Sequence, residues 1–383
     1  MKRLSLYKNN GNVTFSRRLI IFLLDYLIML FITMILFLMS DSILTNAKNS
    51  KLNKINESTS SYQVELIKIM EESNLGYGSD NSINDSSIIS DKYVFTIVYE
   101  SLNGDVIDKS IYEPKMLKVN SLDYYYGTYK VNNSNLYLNY SKNETGITYI
   151  NNLFVEKVNV NNDIISIQED KIIMNEQYAK AIDNFICLAK DSITIDDKVY
   201  NGSDTYSIIY KTYNELLQNA KEDIMTNHKN YLETFNNFNE SRNKMVGYKW
   251  GELVTVYVIV SLIYFIGVPL INKNRATLSM ILFYMVPCSK DGYSVGIGSI
   301  IIKGISEVIM YLNVTTIILT FLYNINSRLF LQYKLFGVIS MSSVYIVSTI
   351  YLIVCLVMSA LKSSKYQTIG DKLSNQLIKD SRE

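Results

Sequence analysis

Four apolar runs divide the chain, at about 19–40, 254–271, 300–323 and 335–361. Each approaches or exceeds the roughly 20 residues a helix needs to cross a bilayer. A polar region, 41–250, separates the first run from the second and fills more than half of the 383 residues. The first run is about twice as long as the apolar core of a signal peptide and carries Asp25 inside it, so an uncleaved helix is expected.

Within the polar region the pattern changes twice. Residues 41–91 are rich in Ser and Asn, with one helical patch over 62–72. From 92 to 174 the runs become short and alternating: KYVFTIVYE, the pair Asn103-Gly104, and DVIDKSIYE read as a strand–turn–strand hairpin. YYYGTYKV, LYLNYS, ITYINNLFVEKV and DIISIQ continue the series between Asn-rich turns, which predicts a small antiparallel sheet. From Asp204 the period is helical. Tyr210, Tyr213, Leu217, Ala220, Ile224, His228, Tyr231, Phe235, Phe238, Arg242 and Met245 recur in steps of three and four, as in a coiled-coil seam. One continuous helix, rising on the order of 60 Å at ~1.5 Å per residue and entering the second run as a stalk, satisfies this stripe. Two helices packed on the sheet satisfy it equally well.

The expected fold is therefore an α-helical transmembrane bundle of four helices plus an extracytoplasmic α+β domain with a small antiparallel sheet and long helices. Its parts are a basic cytoplasmic N-terminus (1–18), the first membrane helix (19–40) and the extracytoplasmic domain (41–250). Membrane helices two to four follow (251–361), with a cytoplasmic loop at about 272–299, and then a cytoplasmic tail (362–383).

Orientation follows from Lys and Arg, which accumulate on the cytoplasmic side of short loops. Lys2, Arg3, Lys8, Arg17 and Arg18 precede the first run without an acid. Lys273, Arg275 and Lys290 lie between the second and third runs, and Lys362, Lys365, Lys372 and Lys379 follow the fourth. The turn near Arg328 and Lys334 is less basic. Both termini are expected in the cytoplasm of a multi-pass cell-membrane protein, with Tyr248 and Trp250 at the outer interface.

Composition removes several functions. Net charge is +1, which leaves no basic surplus for nucleic acid. The excess of Asn, Ile, Lys, Tyr and Ser matches AT-rich codons, so sequons such as Asn56-Glu57-Ser58, Asn143-Glu144-Thr145 and Asn201-Gly202-Ser203 carry little weight. Cys187, Cys288 and Cys355 fall in separate segments, and His228 is the lone histidine. Together these exclude a disulfide framework, zinc spacing and histidine-based triads. The domain 41–250 shows no nucleophile–base pair, no phosphate-binding glycine loop and no carboxylate cluster at ligand spacing. Neither enzymatic activity nor a cofactor or bound metal is expected.

The remaining chemistry is charge inside spans, which costs roughly 2.5–3.5 kcal/mol per residue at a helix centre and by default marks function. Arg18 and Asp25 are seven residues apart, on nearly one helix face. Lys303 and Glu307 are an i,i+4 pair near the cytoplasmic end of the third run. The predicted topology puts Asp25, Lys303 and Glu307 in the same third of the bilayer, so Asp25 is expected to pair with Lys303.

Three stretches together resemble the RDD family of bacterial membrane proteins, named for an arginine and two aspartates. In RRLIIFLLD, Arg18 and Asp25 stand at the family's spacing, with Arg17 beside them. NRATLSMILFYMV followed by KDGYSVGIGSIIIK resembles the family's cytoplasmic segment, with Thr277 opening it and Lys303 as the basic residue after the Asp-Gly turn. QTIGDKLSNQLI places Thr368 and Asp371 as the third element, Asp371 matching the other aspartate. The chain departs from the family pattern at Ser279 (for glycine), at Met280-Ile281 (for basic residues), at Gly370 (for histidine) and at Gln376 (for threonine). The resemblance covers 14–40 and 250–383, and implies transport, with cation/proton exchange attributed to some members.

Several functions stay open at this point. The chain could transport a small ion or solute through an intramembrane carboxylate, or Asp25 could serve only to fix helix packing. A membrane-anchored sensor or assembly protein could act through 41–250 on a membrane-protein partner or a second copy. One span, a large outside domain and three more spans is also the layout of an ABC-type permease, with TLSMILFYMVPCS as its coupling element. Each requires the lipid bilayer as a partner, and none requires nucleic acid.

Overall fold

The computed structural model describes residues 13–76, 86–102, 113–138, 144–160, 163–180, 197–323, 338–361 and 365–382, with the short pieces 78–79, 82–83, 140, 192–195 and 334–335 between them. The Asn103-Gly104 turn and the strand expected after it, Cys187, the basic residues before Val13 and the turn at Arg328 lie outside the described residues. The chain divides into two compact units, Met1–Glu57 with Ser241–Glu383, and Ser58–Glu240.

Among the described residues four helices are long and apolar enough to cross a membrane: Phe15–Asn46, Lys229–Ile271, Ile297–Leu322 and Met341–Ala360. The first shows why they suit lipid. Arg18, Ile21, Asp25, Met29, Thr33 and Phe37 recur at three or four residues and are buried, while Leu23, Leu27 and Phe31 on the other face are more than half exposed. Polar groups point in and large apolar groups point out, the reverse of a helix at a water-facing surface.

The second span is interrupted near its end. Pro269 lacks an N–H and cannot bond the carbonyl four residues back, and the helix relaxes into a π turn over Ile263–Gly267 before resuming at Val268–Ile271. The Phe265 carbonyl faces Gly304 of the third span, where a Cβ would come within 3.0 Å of it and would also collide with Ile266.

One end of the bundle is closed by chain segments far apart in sequence. Strand Met285–Ser289 pairs antiparallel with Gln376–Asp380, in the register Gln376↔Ser289 to Asp380↔Met285. Val13 N–H donates to the Ile378 carbonyl at 3.2 Å. Val13, Ile21, Ala276, Met280, Met285 and Ile378 bury one apolar cluster there. The chain entering the first span, the loop after the second and the tail after the fourth therefore meet at one end.

The second unit is more helical than its pattern suggests, and the described residues of the protein are mostly helical. KYVFTIVYE is not a strand: it belongs to helix Ser86–Ser101, with Ile89, Tyr93 and Ile97 buried at four-residue steps. YYYGTYKV lies in a helical stretch built from Ser121–Tyr124, a π turn at Tyr125–Tyr129 and Lys130–Asn132. ITYINNLFVEKV is helix Gly146–Val158, capped by Thr145, whose hydroxyl accepts from Thr148 N–H at 3.1 Å. The described residues of LYLNYS form no strand. DIISIQ does form one: Ile165–Gln168 pairs with Lys171–Met174 around Glu169 and Asp170, both at positive φ. Gly78–Ser79 with Ser82–Ile83 and Ser192–Ile195 with Lys198–Asn201 are further two-stranded ladders. The expected single sheet is thus replaced, among the described residues, by separate hairpins around a helical core.

That core is rich in tyrosine. The Tyr93 and Tyr213 rings stack with centroids 3.6 Å apart, and Lys130, 1% exposed, is held by Asp223 at 2.6 Å. The coiled-coil-like stripe forms two helices, Gly202–Asn227 and Lys229–Leu262, separated by one residue, His228. The backbone hydrogen bonds of His228 to Ile224 and of Leu232 to His228 stay in helical register. The imidazole Nδ1 accepts from Tyr231 N–H at 3.1 Å, so His228 caps the second helix from inside an almost continuous one. Burial lowers its pKa.

Candidate functional site

The site lies at the closed end of the bundle. Asp371 is positioned by its own short helix, Ile369–Leu373, through a capping box with Thr368. Thr368 N–H donates to Asp371 Oδ2 and Asp371 N–H to Thr368 Oγ1, each at 3.1 Å. The fixed carboxylate receives two cations: Arg18 Nη1 stands 2.8 Å from Oδ2, and Lys303 Nζ 2.8 Å from Oδ1. Asp371 is 1% exposed and Arg18 4%. Burial alone would raise the carboxyl pKa, but Lys303 and Arg18 overcome it and hold it at about 2. Outside this pair, Arg17 and Arg382 both bind Asp380, tying the last strand to the start of the first span.

Asp25 is held differently. Tyr264 donates to Oδ1 at 2.5 Å, Ser279 also donates to Oδ1, and Thr277 donates to Oδ2 at 3.2 Å. Tyr264 comes from the π turn of the second span, whose extra residue re-aims the side chain inward. Thr277 is the N-cap of helix Leu278–Leu282 and accepts from Met280 N–H at 3.4 Å. Ser279, in the first turn of that helix, supplies a hydroxyl to the buried carboxylate.

The expected Asp25–Lys303 pair is therefore replaced. Lys303 goes to Asp371, which the capping box presents from the tail with a well-placed oxygen, and Asp25 takes three neutral donors instead. Lys303 and Glu307, though i,i+4, form no ion pair. Glu307 is 8% exposed and makes no hydrogen bond or ion pair among the described residues.

Two cavities of about 30 Å³ each adjoin these groups. Both are lined by Asp25, Met280, Lys303 and Glu307. Arg275 and Gln376 complete the first, and Arg18, Thr368 and Asp371 the second. Arg275 Nη1 is bonded to the Leu270 carbonyl at 2.6 Å. Arg18 Nε and Nη2 are buried in the second without hydrogen-bond partners. Volumes of this size hold a water or a bare ion and exclude larger solutes.

All the residues singled out in the sequence (Arg17, Arg18, Asp25, Thr277, Lys303, Glu307, Thr368 and Asp371) are thus at one end of the bundle. Tyr264 escaped sequence reading, and Ser279 was read only as a departure from the resemblance, not as a donor to Asp25. A helical proline five residues after Tyr264 was the available signal for the first. Gly370 is explained by packing: a Cβ there would collide with the Ser306 side chain.

No family model, no curated protein and no solved structure matches the chain.

Proposed function

We propose that the chain is an RDD-like integral protein of the cell membrane that exchanges a proton for a monovalent cation at the Asp25–Glu307 carboxylates. The observation carrying this reading is Glu307: a buried carboxylate with no hydrogen bond or ion pair among the described residues, beside a second carboxylate held only by hydroxyls. A group kept for packing alone would be matched by a cation, because an uncompensated buried charge is expensive. Here both nearby cations, Arg18 and Lys303, are committed to Asp371. Asp25 and Glu307 are left to compete for whatever positive charge enters cavities the size of an ion.

The RDD reading draws support from Arg18, Lys303 and Asp371, which the family pattern marks in three distant stretches and which form one ion-pair cluster. In the proposed topology both termini are cytoplasmic and the unit Ser58–Glu240 is extracytoplasmic. The meeting of the N-terminal segment, the loop after the second span and the C-terminal tail at one end supports an even number of crossings.

The test is purified full-length protein in liposomes loaded with a pH-sensitive dye, challenged with a Na⁺ or, separately, a K⁺ gradient. The expected result is cation-driven proton movement that Asp25→Asn abolishes. Flux that persists unchanged in Asp25→Asn overturns the carrier role of that carboxylate.

A further inference from the structure

The second unit holds a cavity of about 150 Å³, which the carboxylates at the bundle end do not share. It is the kind of volume that admits a molecule of about six heavy atoms. Its apolar wall is made by Tyr93 and Ile97, 4% and 2% exposed, both from helix Ser86–Ser101. Its polar lining comes from three elements: Glu100 at the end of that helix, Asn120 and Asp123 at the start of the helical stretch from Ser121, and Lys171 opening strand Lys171–Met174.

The polar groups are unevenly satisfied. Asn120 is fully used: Oδ1 accepts from Leu122 N–H at 3.1 Å and from Tyr213 OH at 2.9 Å, and Nδ2 donates to Asp123 Oδ2 at 2.9 Å. The other oxygen, Asp123 Oδ1, is buried and has no hydrogen-bond partner. Glu100 and Lys171 are exposed at the mouth and form no ion pair among the described residues. A buried carboxylate oxygen without a donor is costly in an otherwise well-packed core, and such atoms in folded proteins mark bound water, an ion or a functional site.

We propose that this cavity binds a compact ligand bearing a primary ammonium group, which donates to Asp123 Oδ1 and is flanked by Glu100. The ligand's short carbon skeleton lies on Tyr93 and Ile97. Lys171 at the mouth decides between two sources of that chemistry, since it fits the carboxylate of a small amino acid and repels a simple alkylamine. Burial first, and then the charge of Glu100, raise the Asp123 carboxyl to about 7. The other groups facing it are the Lys171 side chain and Tyr93 and Tyr213, whose hydroxyls burial pushes up so that they stay neutral near that pH. Affinity for an ammonium ligand therefore falls as pH drops from 8 to 6.

The site is independent of cation exchange in the bundle, and its failure would leave that reading untouched. The test is equilibrium binding to the detergent-solubilised full chain, with alanine, n-propylamine and propionate as separate probes. The expected result is saturable binding of at least one ammonium compound and none of propionate, with affinity reduced tenfold or more by Asp123→Asn. Glu100→Gln, at an exposed position, is expected to leave the melting temperature unchanged and to weaken binding severalfold. Alanine binding lost in Lys171→Gln assigns the ligand as an amino acid, whereas propylamine binding unchanged or improved in that variant assigns a simple amine. Saturable propionate binding, absence of binding by both ammonium probes, or unchanged affinity in both carboxylate variants overturns the proposal.

Discussion

Arg18 Nη1 stands 2.8 Å from Asp371 Oδ2 across 353 residues of sequence, and Lys303 Nζ forms an ion pair with Asp371 Oδ1 at the same distance. The first span, the third span and the C-terminal tail are joined at this carboxylate. Asp371→Asn leaves both cations buried and unmatched, so a loss on the order of 3 kcal/mol is expected. Thermal unfolding in detergent should show it as a drop of several degrees, larger than for any other single change at this end of the bundle.

Asp25→Asn should be much milder for stability, about 1 kcal/mol, because its partners are neutral hydroxyls and an amide can still accept from them. The same unfolding measurement checks this. A loss equal to that of Asp371→Asn would mean that Asp25, and not only Asp371, neutralises a buried cation.

The choice of Lys303 between the two aspartates can be read from double-mutant cycles. Lys303→Met combined with Asp371→Asn should be less damaging than the sum of the single changes, by one or more kcal/mol. Lys303→Met combined with Asp25→Asn should be close to additive.

Asp371 also sets a pH dependence with a definite sign. Its folded-state pKa, about 2, lies below the ordinary value of 3.8. Its contribution to stability is therefore complete above pH 3.8 and is lost as pH falls toward 2. Melting temperature should decline over that window, and the acid slope should flatten in Asp371→Asn once the difference at neutral pH is subtracted.

Gly370→Ala places a methyl group against Ser306 of the third span, and overpacking of this kind costs about 1–3 kcal/mol. Ser306→Gly should recover part of the loss. Recovery would identify contact with the third span as the reason the tail carries glycine here.

What could be read along the chain differs sharply between the two units. In the bundle, the constraint is the bilayer: a long, predominantly apolar run such as RLIIFLLDYLIML, with no alternation of polar and apolar positions, satisfies its backbone in lipid as a helix. A charge inside such a run is rare enough to stand out, which made Asp25, Lys303 and Glu307 visible as candidates; Arg18 was visible by its spacing to Asp25, and Asp371 only by the family resemblance. Their pairing was not, because helix depth places Lys303 near Asp25 but says nothing of a tail that folds back. The capping box formed by Thr368 and Asp371 was the legible hint that this tail has structure.

In the second unit, β-branched and aromatic residues are abundant throughout, so strand propensity lost its value as a signal. KYVFTIVYE alternates well enough for a strand, yet Ile89, Tyr93 and Ile97 bury at helical spacing, and tertiary packing decided. The same holds for ITYINNLFVEKV, where Ile150, Phe154 and Val158 are buried four apart and Thr145 caps the helix. Starting the window a few residues earlier exposes both periods. The cavity at Asp123 left no trace in the sequence, since Glu100, Asp123 and Lys171 come together only through the packing of three elements.

The most direct measurement is cation-driven proton flux in liposomes for wild type, Asp25→Asn and Glu307→Gln, each at equal protein density and below its own melting temperature. Exchange at paired carboxylates requires flux in the wild type and a loss of at least tenfold in both variants. Wild-type flux that survives Glu307→Gln, or no flux in any preparation with either Na⁺ or K⁺, would contradict it.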